Sequence, residues 1–598
     1  MPFTNGKTFA GDPLLSFSFL PNPKAPGMPL HLITAQNDAD IIAQIWKMRE
    51  RNLWYTIWSS WGYEIREKGK RVMLGYFDED DAGNRRVGTE NHFDFSNQAT
   101  AAAEKGPFEL VFHNVEATSA RKDSMLSALN GLHTRLTDFL GPLKLPKKLP
   151  VHLYRSVEEK GLERGNTAQT HFDGKALHTV VHPAYAGHED HRPAQWLIRK
   201  HLGKETTPVM EAGAAVLMTQ RWYFQGWEYW AAKLQRSGNA LSVAELLNRK
   251  IFLRESRYVR GCMAAAFVAH LIEEKDQSQV QKWLKNGFAP SKNEISRLQK
   301  SFERYLEALA AKTPTKAEQP GPKFAPIPAY HKGFNFAHEG YQIYNGYASS
   351  RATRSLEYNA EELHCNVTAI IPYAGMGTPQ SPADVEINDW PGGENDPSIV
   401  HSIWSAKQAG LMVLMKPQVW VQSGWPGSVN MRSKGDWEIW YEKYMRWIRH
   451  YTMMSEIFGA EIMCVGVEFM RATLDYPEQW RTIIRQLRGL YSGKMTYAAN
   501  WGDELEQMAF WDELDFIGAN CYYPLASGKN VDDKALMRGF AQNMKKIEAV
   551  ARKFGKPVLF TEIGFRSKEA AWEEVHAEAG GRPVDVGAQR RCYVAMIE

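Results

Sequence analysis

From residue 331 onward the sequence repeats one pattern, a short apolar run of β-forming residues followed by a longer helical segment. The runs are KGFNFA (332–337), NVTAIIPYA (366–374), LMVLMKPQVW (411–420), AEIMCVGVEF (460–469), KMTYAANW (494–501), LDFIGANCYYP (514–524) and KPVLFTEIGF (556–565). Helical stretches such as Trp437 to Phe458 and Asp532 to Phe554 lie between them. Near-continuous apolar strands alternating with helices predict a parallel sheet covered on both faces. Seven such units in roughly 270 residues fit a (β/α)8 TIM barrel, whose usual size is ~250 residues. No eighth run follows the seventh before Glu598. Without an eighth strand a barrel would have two unpaired edges, so the expectation is that another segment fills the gap or that the chain continues past Glu598.

The segment before the barrel has a different texture. TPTKAEQPGPKFAPIPAY (313–330) carries five prolines and little to bury, which reads as a semi-rigid linker. Residues 107–312 begin with two strand-like runs, FELVFHNV and LPVHLYRS, on either side of a helix from about Ser119 to Leu140. Helical segments follow, ending in one from Asn293 to Ala311, so this part reads as an α+β domain. Residues 1–106 form an irregular arm and a small N-terminal region with a polar hairpin-like segment, FDEDDAGNRR, and no functional signal.

Composition narrows the classes. At 598 residues, 44% hydrophobic and 23% charged, the composition is that of a folded chain, and wholesale disorder is not expected. No apolar run reaches 18 residues, so no membrane span is expected. A net charge of +4 is too small to suggest a nucleic-acid partner. Five cysteines, Cys262, Cys365, Cys464, Cys521 and Cys592, are scattered without a close pair, against a disulfide framework or zinc knuckle. The N-terminus lacks the basic start and apolar run of a signal peptide. That fits a cytoplasmic chain, or a secreted or periplasmic one whose signal has been removed. Oligomeric state leaves no trace in the sequence.

In a (β/α)8 barrel the chemistry sits at the C-terminal ends of the strands. The polar residues expected there are Asn335 and His338, then Lys416, Gln418 and Trp420, then Glu468, Asn500, Trp501, Asn520, Tyr522, Tyr523 and Glu562. Glu468 and Glu562 end the fourth and seventh runs, on opposite sides of one barrel mouth. Glycosidic-bond hydrolysis needs such a pair, one carboxyl held protonated to donate to the leaving oxygen and the other ionised. Aromatic rings and amides between them would hold a sugar. A structural ion pair, Glu with Lys416, is the competing reading for one glutamate on its own.

These segments, together with SGWPG after LMKPQVWV, resemble the retaining (β/α)8 glycoside hydrolase clan and, within it, glycoside hydrolase family 113, the β-1,4-mannanases. The resemblance spans residues 331–598. It implies Glu468 as general acid/base and Glu562 as nucleophile, with Lys416, Trp425, Asn500, Trp501 and Tyr523 lining the sugar site, to which strand-end position adds Asn335, Trp420 and Tyr522 as substrate-binding candidates. It implies no metal and no cofactor. Where many clan members carry Asn before the acid/base, this chain has Val467 after Gly466, in the mannanase family's G-x-E pattern. In that clan the eighth strand commonly brings a Trp platform for the sugar.

A second resemblance covers residues 107–312. VHLYRS, HRPAQWLIRKHLG, PVMEAGAAVLM and AAAFVAHLIEE resemble a gluzincin metallopeptidase domain in degenerate form. A zinc peptidase needs H-E-x-x-H on a helix. The register HRPAQ puts His191 at the first ligand position, Arg192 in place of the base, Gln195 in place of the second His and Glu211 at the downstream ligand. The register HEDHR gives His188 and Glu189 but Arg192 at the second ligand position. Neither supplies three ligands and a base, so a peptidase-like fold kept as scaffold or binding module is expected. Any metal on His188, His191 or His201 would be adventitious.

The sequence thus predicts a retaining glycoside hydrolase acting on β-linked hexosans, β-1,4-mannan foremost, with a polysaccharide or oligosaccharide as partner. The competing expectation is an impaired carbohydrate-binding or scaffold protein. The 20 tryptophans do not discriminate, since nine precede the barrel half and eleven lie within it. Trp54, Trp58, Trp61, Trp227, Trp230, Trp437, Trp440 and Trp447 fall at helical spacing and read as core. Trp420, Trp425, Trp501 and Trp390 fall where strands or their loops open.

Overall fold

The computed structural model describes residues 104–598 except 187–189, 220, 318–320, 323, 338–342 and 344–345. Before residue 104 it describes 13–21, 29–34, 38–39, 41–42, 62–67, 70–79, 85–95 and 98–99. His338, His188, Glu189, Trp54, Trp58 and Trp61 lie outside the described residues. The chain divides into two compact units. One is Met1–Thr206 with His338–Leu356 and Asp389–Ser405; the other is Thr207–Ala337 with Glu357–Asn388 and Ala406–Glu598.

The described residues of the first unit form two sheets. In the antiparallel sheet the strand Lys70–Glu79 pairs with Arg85–Asp94, so FDEDDAGNRR joins two neighbouring strands. Leu74, Phe93 and Phe95 pack with Leu162 in a small apolar cluster. In the second sheet Phe108–His113, Leu149–Tyr154 and Leu177–Val180 run parallel, and Thr170–Phe172 adds an antiparallel edge. The helix Ser119–Leu140 buries Leu126, Leu129, Leu132, Leu136 and Phe139, one apolar stripe at helical spacing.

In the second unit, helices including Pro208–Leu217, Trp227–Arg236, Arg257–Glu274 and Lys292–Lys312 precede the barrel sheet. Buried polar contacts fasten them to the barrel helix Lys434–Phe458. Glu255 accepts ion pairs from Arg446 at 3.3 Å and Arg449 at 2.9 Å, and Lys233 meets Glu456 at 2.5 Å. The Pro-rich segment lies within this unit, with the Ala325 N–H on Glu461 at 2.9 Å and Phe324 edge-on to Tyr491. Along the chain, the stretch of this unit that contains it runs from Thr207 to Ala337.

The barrel sheet is parallel and contains β1 (Gly333–Ala337), β2 (Val367–Ile371), β3 (Met412–Met415), β4 (Ile462–Val467), β5 (Lys494–Asn500), β6 (Ile517–Asn520) and β7 (Val558–Glu562), in that spatial order. Among the described residues β1 and β7 each pair with a single strand, and no eighth strand joins them. The sheet nevertheless curls far enough for the Asn335 amide on β1 to donate to the Thr561 carbonyl on β7 at 3.1 Å. Among the described residues it is a curled parallel half-barrel of seven strands, consistent with a TIM-like barrel.

The second and third strands are shorter than the continuous runs expected. Pairing leaves the barrel ladder near Pro372 and Pro417, and Tyr373–Met376 with Gln418–Val421 forms a separate two-stranded parallel sheet. A proline has no N–H to give the ladder, which accounts for the break.

β4 is buried along its whole length, as a strand covered on both faces must be. Against it, the Tyr444 hydroxyl donates to the Val465 carbonyl at 2.7 Å and Trp480 packs on Gly466, while Trp440 and Trp447 are buried on the helix that carries Tyr444. Trp437 and Trp230 are also core, whereas Trp227 is half-buried. Gly466 fits because it has no side chain: an added Cβ would lie 2.6 Å from the Tyr497 ring and 2.9 Å from Trp480. Among the described residues no helix is long and apolar enough to cross a membrane. Gly466→Ala should lower stability by about 1–3 kcal/mol through overpacking, read as an earlier denaturant midpoint at unchanged m-value. An unchanged midpoint would refute the close packing at β4.

Candidate active site

The C-terminal ends of the strands surround a cavity of about 700 Å³, lined by Trp425, Glu468, Asn500, Trp501, Tyr522, Glu562, Arg566, His576 and Tyr593 among others. Its two carboxylates stand in unlike surroundings.

Glu562 ends β7. Its Oε1 accepts hydrogen bonds from the Lys416 ammonium and, at 3.0 Å, from the Gln418 amide. Its Oε2 accepts from the Tyr522 hydroxyl at 2.8 Å. Burial pushes this carboxyl up, but the adjacent Lys416 charge and these donors outweigh it and hold Glu562 below the ordinary carboxylate value. Lys416 is fully buried, with Asn335 Oδ1 and the Thr561 carbonyl each 3.4 Å from its Nζ. Burial and the Glu562 charge push the Tyr522 phenol up, so it stays protonated and donates.

Glu468 follows β4 in a left-handed backbone conformation, φ 56°. Non-glycine residues hold that region only where the surroundings enforce it, typically at functional sites. Its Oε2 accepts from the Trp425 indole N–H at 2.7 Å and its Oε1 from the Asn520 amide at 2.9 Å. Asn520 is itself fixed by the Thr561 hydroxyl at 2.8 Å. Burial raises the Glu468 carboxyl, and the Glu562 charge adds to that rise. The two hydrogen bonds pull it back only in part, so Glu468 stays above the ordinary value. Burial and charge thus drive the two groups apart, one toward the acid and one toward the carboxylate.

The loop that presents Trp425 explains SGWPG. A Cβ at Gly427 would fall 2.1 Å from the Trp425 ring, so only glycine lets the indole fold over its own loop. Behind the cavity, Glu504 is buried and accepts from the Asn500 N–H at 2.7 Å, Tyr497 at 2.8 Å and Thr473 at 2.9 Å. Burial lifts its carboxyl to about 8. The Tyr497 oxygen in turn accepts from the Phe469 N–H at 2.7 Å, which braces the backbone next to Glu468.

Of the residues expected from the sequence, the cavity gathers Glu468, Glu562, Trp425, Asn500, Trp501 and Tyr522. Asn335 and Lys416 reach it through Glu562 and Thr561 rather than as lining groups. Tyr523 is buried behind Trp501, with ring centroids 5.4 Å apart, and its oxygen accepts from the Gly502 N–H. Trp420 is 67% exposed and lies outside the lining. Trp390 is exposed in the other unit. Arg566, His576 and Tyr593 had no strand-end signal, since they follow β7 in irregular chain and a helix.

Residues 336–598 match the model of Glycoside Hydrolase Family 113. Among solved structures, one described as a complex of a GH113 β-1,4-mannanase is 25% identical, covering 44% of this chain and 81% of that one, with a TM-score of 0.39. The GH113 β-mannanase from Alicyclobacillus acidocaldarius in complex with ManMIm is also 25% identical, covering 45% and 80%, with a TM-score of 0.39. A β-D-glucuronidase of Dictyoglomus thermophilum is 14% identical over 45% of this chain and 41% of that one, with a TM-score of 0.32. No curated protein matches the chain.

The match does not reach residues 107–312, and the peptidase-like resemblance there gains no support. His191 is the N-cap of the helix Arg192–Leu202 and so precedes the helix that would have to present it. Pro193 sits in that helix's first turn, where a missing N–H costs nothing. His201 accepts from the Lys144 N–H at 3.0 Å. The sheet of the first unit instead lines up His171, His178 and His152 on neighbouring strands. Among the described residues no three His, Cys, Asp or Glu stand where they could hold a metal ion.

Two substitutions should move the carboxyl titrations in known directions. Lys416→Met removes the cation that stabilises ionised Glu562, so Glu562 should titrate at higher pH. Trp425→Phe removes a donor to ionised Glu468, so Glu468 should also titrate higher. Infrared difference spectra against Glu562→Gln and Glu468→Gln isolate the two carboxyl bands. A downward shift in either variant would contradict the assigned causes.

Proposed function

We propose that this chain is a retaining glycoside hydrolase that cleaves β-linked hexosans, β-1,4-mannan foremost, by double displacement on two glutamates. The observation that carries the reading is the opposed bias of Glu468 and Glu562 across one cavity. The family match over residues 336–598 agrees with it.

In the first step the Glu562 carboxylate attacks the anomeric carbon while Glu468 gives its proton to the glycosidic oxygen. The C–O bond breaks, the leaving sugar departs as an alcohol, and a glycosyl ester forms on Glu562. Glu468, now ionised, takes a proton from water. The hydroxide adds to the anomeric carbon and the ester bond breaks, restoring Glu562 as carboxylate and yielding the hemiacetal with retained configuration. Tyr522 and Gln418, which hold Glu562 through opposite oxygens, keep it oriented for attack. Trp425 keeps Glu468 facing the cavity, and Trp501 offers a ring face to the sugar. Both steps use proton transfer and carboxylate attack and call on no metal or organic cofactor.

Activity should be lost at low pH as Glu562 protonates and lost at higher pH as Glu468 ionises, giving a bell whose alkaline limb lies above the ordinary carboxylate value. Glu562→Gln should abolish reducing-sugar release from mannan, with a thermal-melt control because Glu562 is the partner of buried Lys416. Azide should restore turnover of an activated aryl β-mannoside by Glu468→Ala. Binding of mannan without release by the unsubstituted chain would favour the scaffold reading. Full activity in Glu562→Gln, or first product of inverted configuration by proton NMR, would overturn the mechanism.

A further inference from the structure

A second cavity, of about 640 Å³, lies on the same strand-end rim. Its size falls in the range of about 300–1,000 Å³ typical of small-molecule sites. It shares no lining residue with the cavity that holds the glutamates. Two loops build it. The loop that presents Trp425 to Glu468 continues through Met431 to Lys434, which line the second cavity. The chain leaving Glu468 runs through the short helix Met470–Asp475 to Tyr476, which lines it from the other side.

The wall is aromatic. Trp437 and Tyr441 stack with centroids 5.4 Å apart and planes at 25°. Tyr476 closes on Trp437 at 4.6 Å and lies 6.4 Å from Tyr441. Trp437 is buried and Tyr441 and Tyr476 are half-buried, so the cluster is a fixed wall with partly open faces. Around it stand exposed hydrogen-bonding groups of both signs: Arg432, Glu438 and Gln479. A lining of mixed charge does not select an anion or a cation. Aromatic faces ringed by neutral and oppositely charged hydrogen-bonding groups suit a ligand with a CH face and many hydroxyls.

We propose that this cavity binds a hexosyl unit of a polysaccharide, outside the cavity where the bond is cut. The identity of the polysaccharide rests on the function proposed above, but the site itself does not. A chain held at both cavities would engage two loops that both lead back to Glu468.

The test is affinity electrophoresis of the full chain through gels containing soluble β-1,4-mannan, beside turnover of an activated aryl β-mannoside too short to reach a second cavity. Tyr476→Ala should weaken retardation about three- to tenfold, the worth of one aromatic stacking contact, and leave aryl-mannoside turnover unchanged. Tyr476→Phe, which keeps the ring, should be retarded like the unsubstituted chain. Arg432→Ala, at an exposed position, should weaken retardation without touching the aromatic wall. Equal retardation of the unsubstituted chain, Tyr476→Ala and Arg432→Ala would overturn the site, even in an active glycosidase. Absence of retardation of the unsubstituted chain in mannan gels and in gels of other soluble β-linked hexosans alike would overturn it too, whereas absence in mannan alone would overturn only the mannan assignment. Failure of the chain to cleave any glycan would overturn the proposed function, yet a loss of retardation in Tyr476→Ala would still support the site.

Discussion

The ion pair between Lys416 and Glu562 organises the C-terminal half of the molecule. A lysine taken wholly out of water is costly unless a counter-charge and hydrogen-bond acceptors meet it. Lys416 leaves β3 at the proline break and finds all of them across the barrel: the Glu562 carboxylate, the Thr561 carbonyl and Asn335 Oδ1. These partners sit on β7 and β1, which among the described residues each pair with a single strand of the sheet. One buried ammonium therefore ties together the edges of an open sheet and fixes the ionised state of the carboxylate beside it.

The second carboxylate is governed by what it lacks. Glu468 has no cation in direct contact, only an indole and an amide, and burial prevails. The contrast is economical, since Asn520 and Thr561 link the two sides. Thr561 donates its hydroxyl to Asn520, which donates to Glu468, while the Thr561 carbonyl receives Lys416. The acid-like and carboxylate-like groups are thus held by one continuous polar network, which explains why so many of its members are uncharged amides and hydroxyls.

Much of this was legible in the chain. Alternating apolar runs gave the parallel sheet, and a Glu at the end of the fourth and seventh runs gave the two carboxylates. SGWPG entered only as part of the family resemblance, and the structure makes it the seat of the Trp425 ring. Other features were hidden. Glu504 lies in GDELEQ, which reads as a solvated helix start, yet it is buried under the site. Trp420 stands in an apolar run and reads as a cleft residue, yet Pro417 ends the barrel strand before it and leaves it exposed. The histidine-rich stretch around residues 182–201 drew attention to a metal, whereas His113, His152, His178 and His171, whose rings pack in succession, come from four separate segments.

What the sequence determined by itself was periodic and local: strand and helix alternation, the tight turns, and which residue types stand at strand ends. Those follow from propensities and hydrophobic spacing along one chain. The tertiary structure alone decided which strand ends face one another, and so which carboxylate receives the lysine and which stays buried without one. That outcome depends on the curl of the sheet and the burial of each group. Both are set by contacts between residues as far apart in sequence as Asn335 and Thr561.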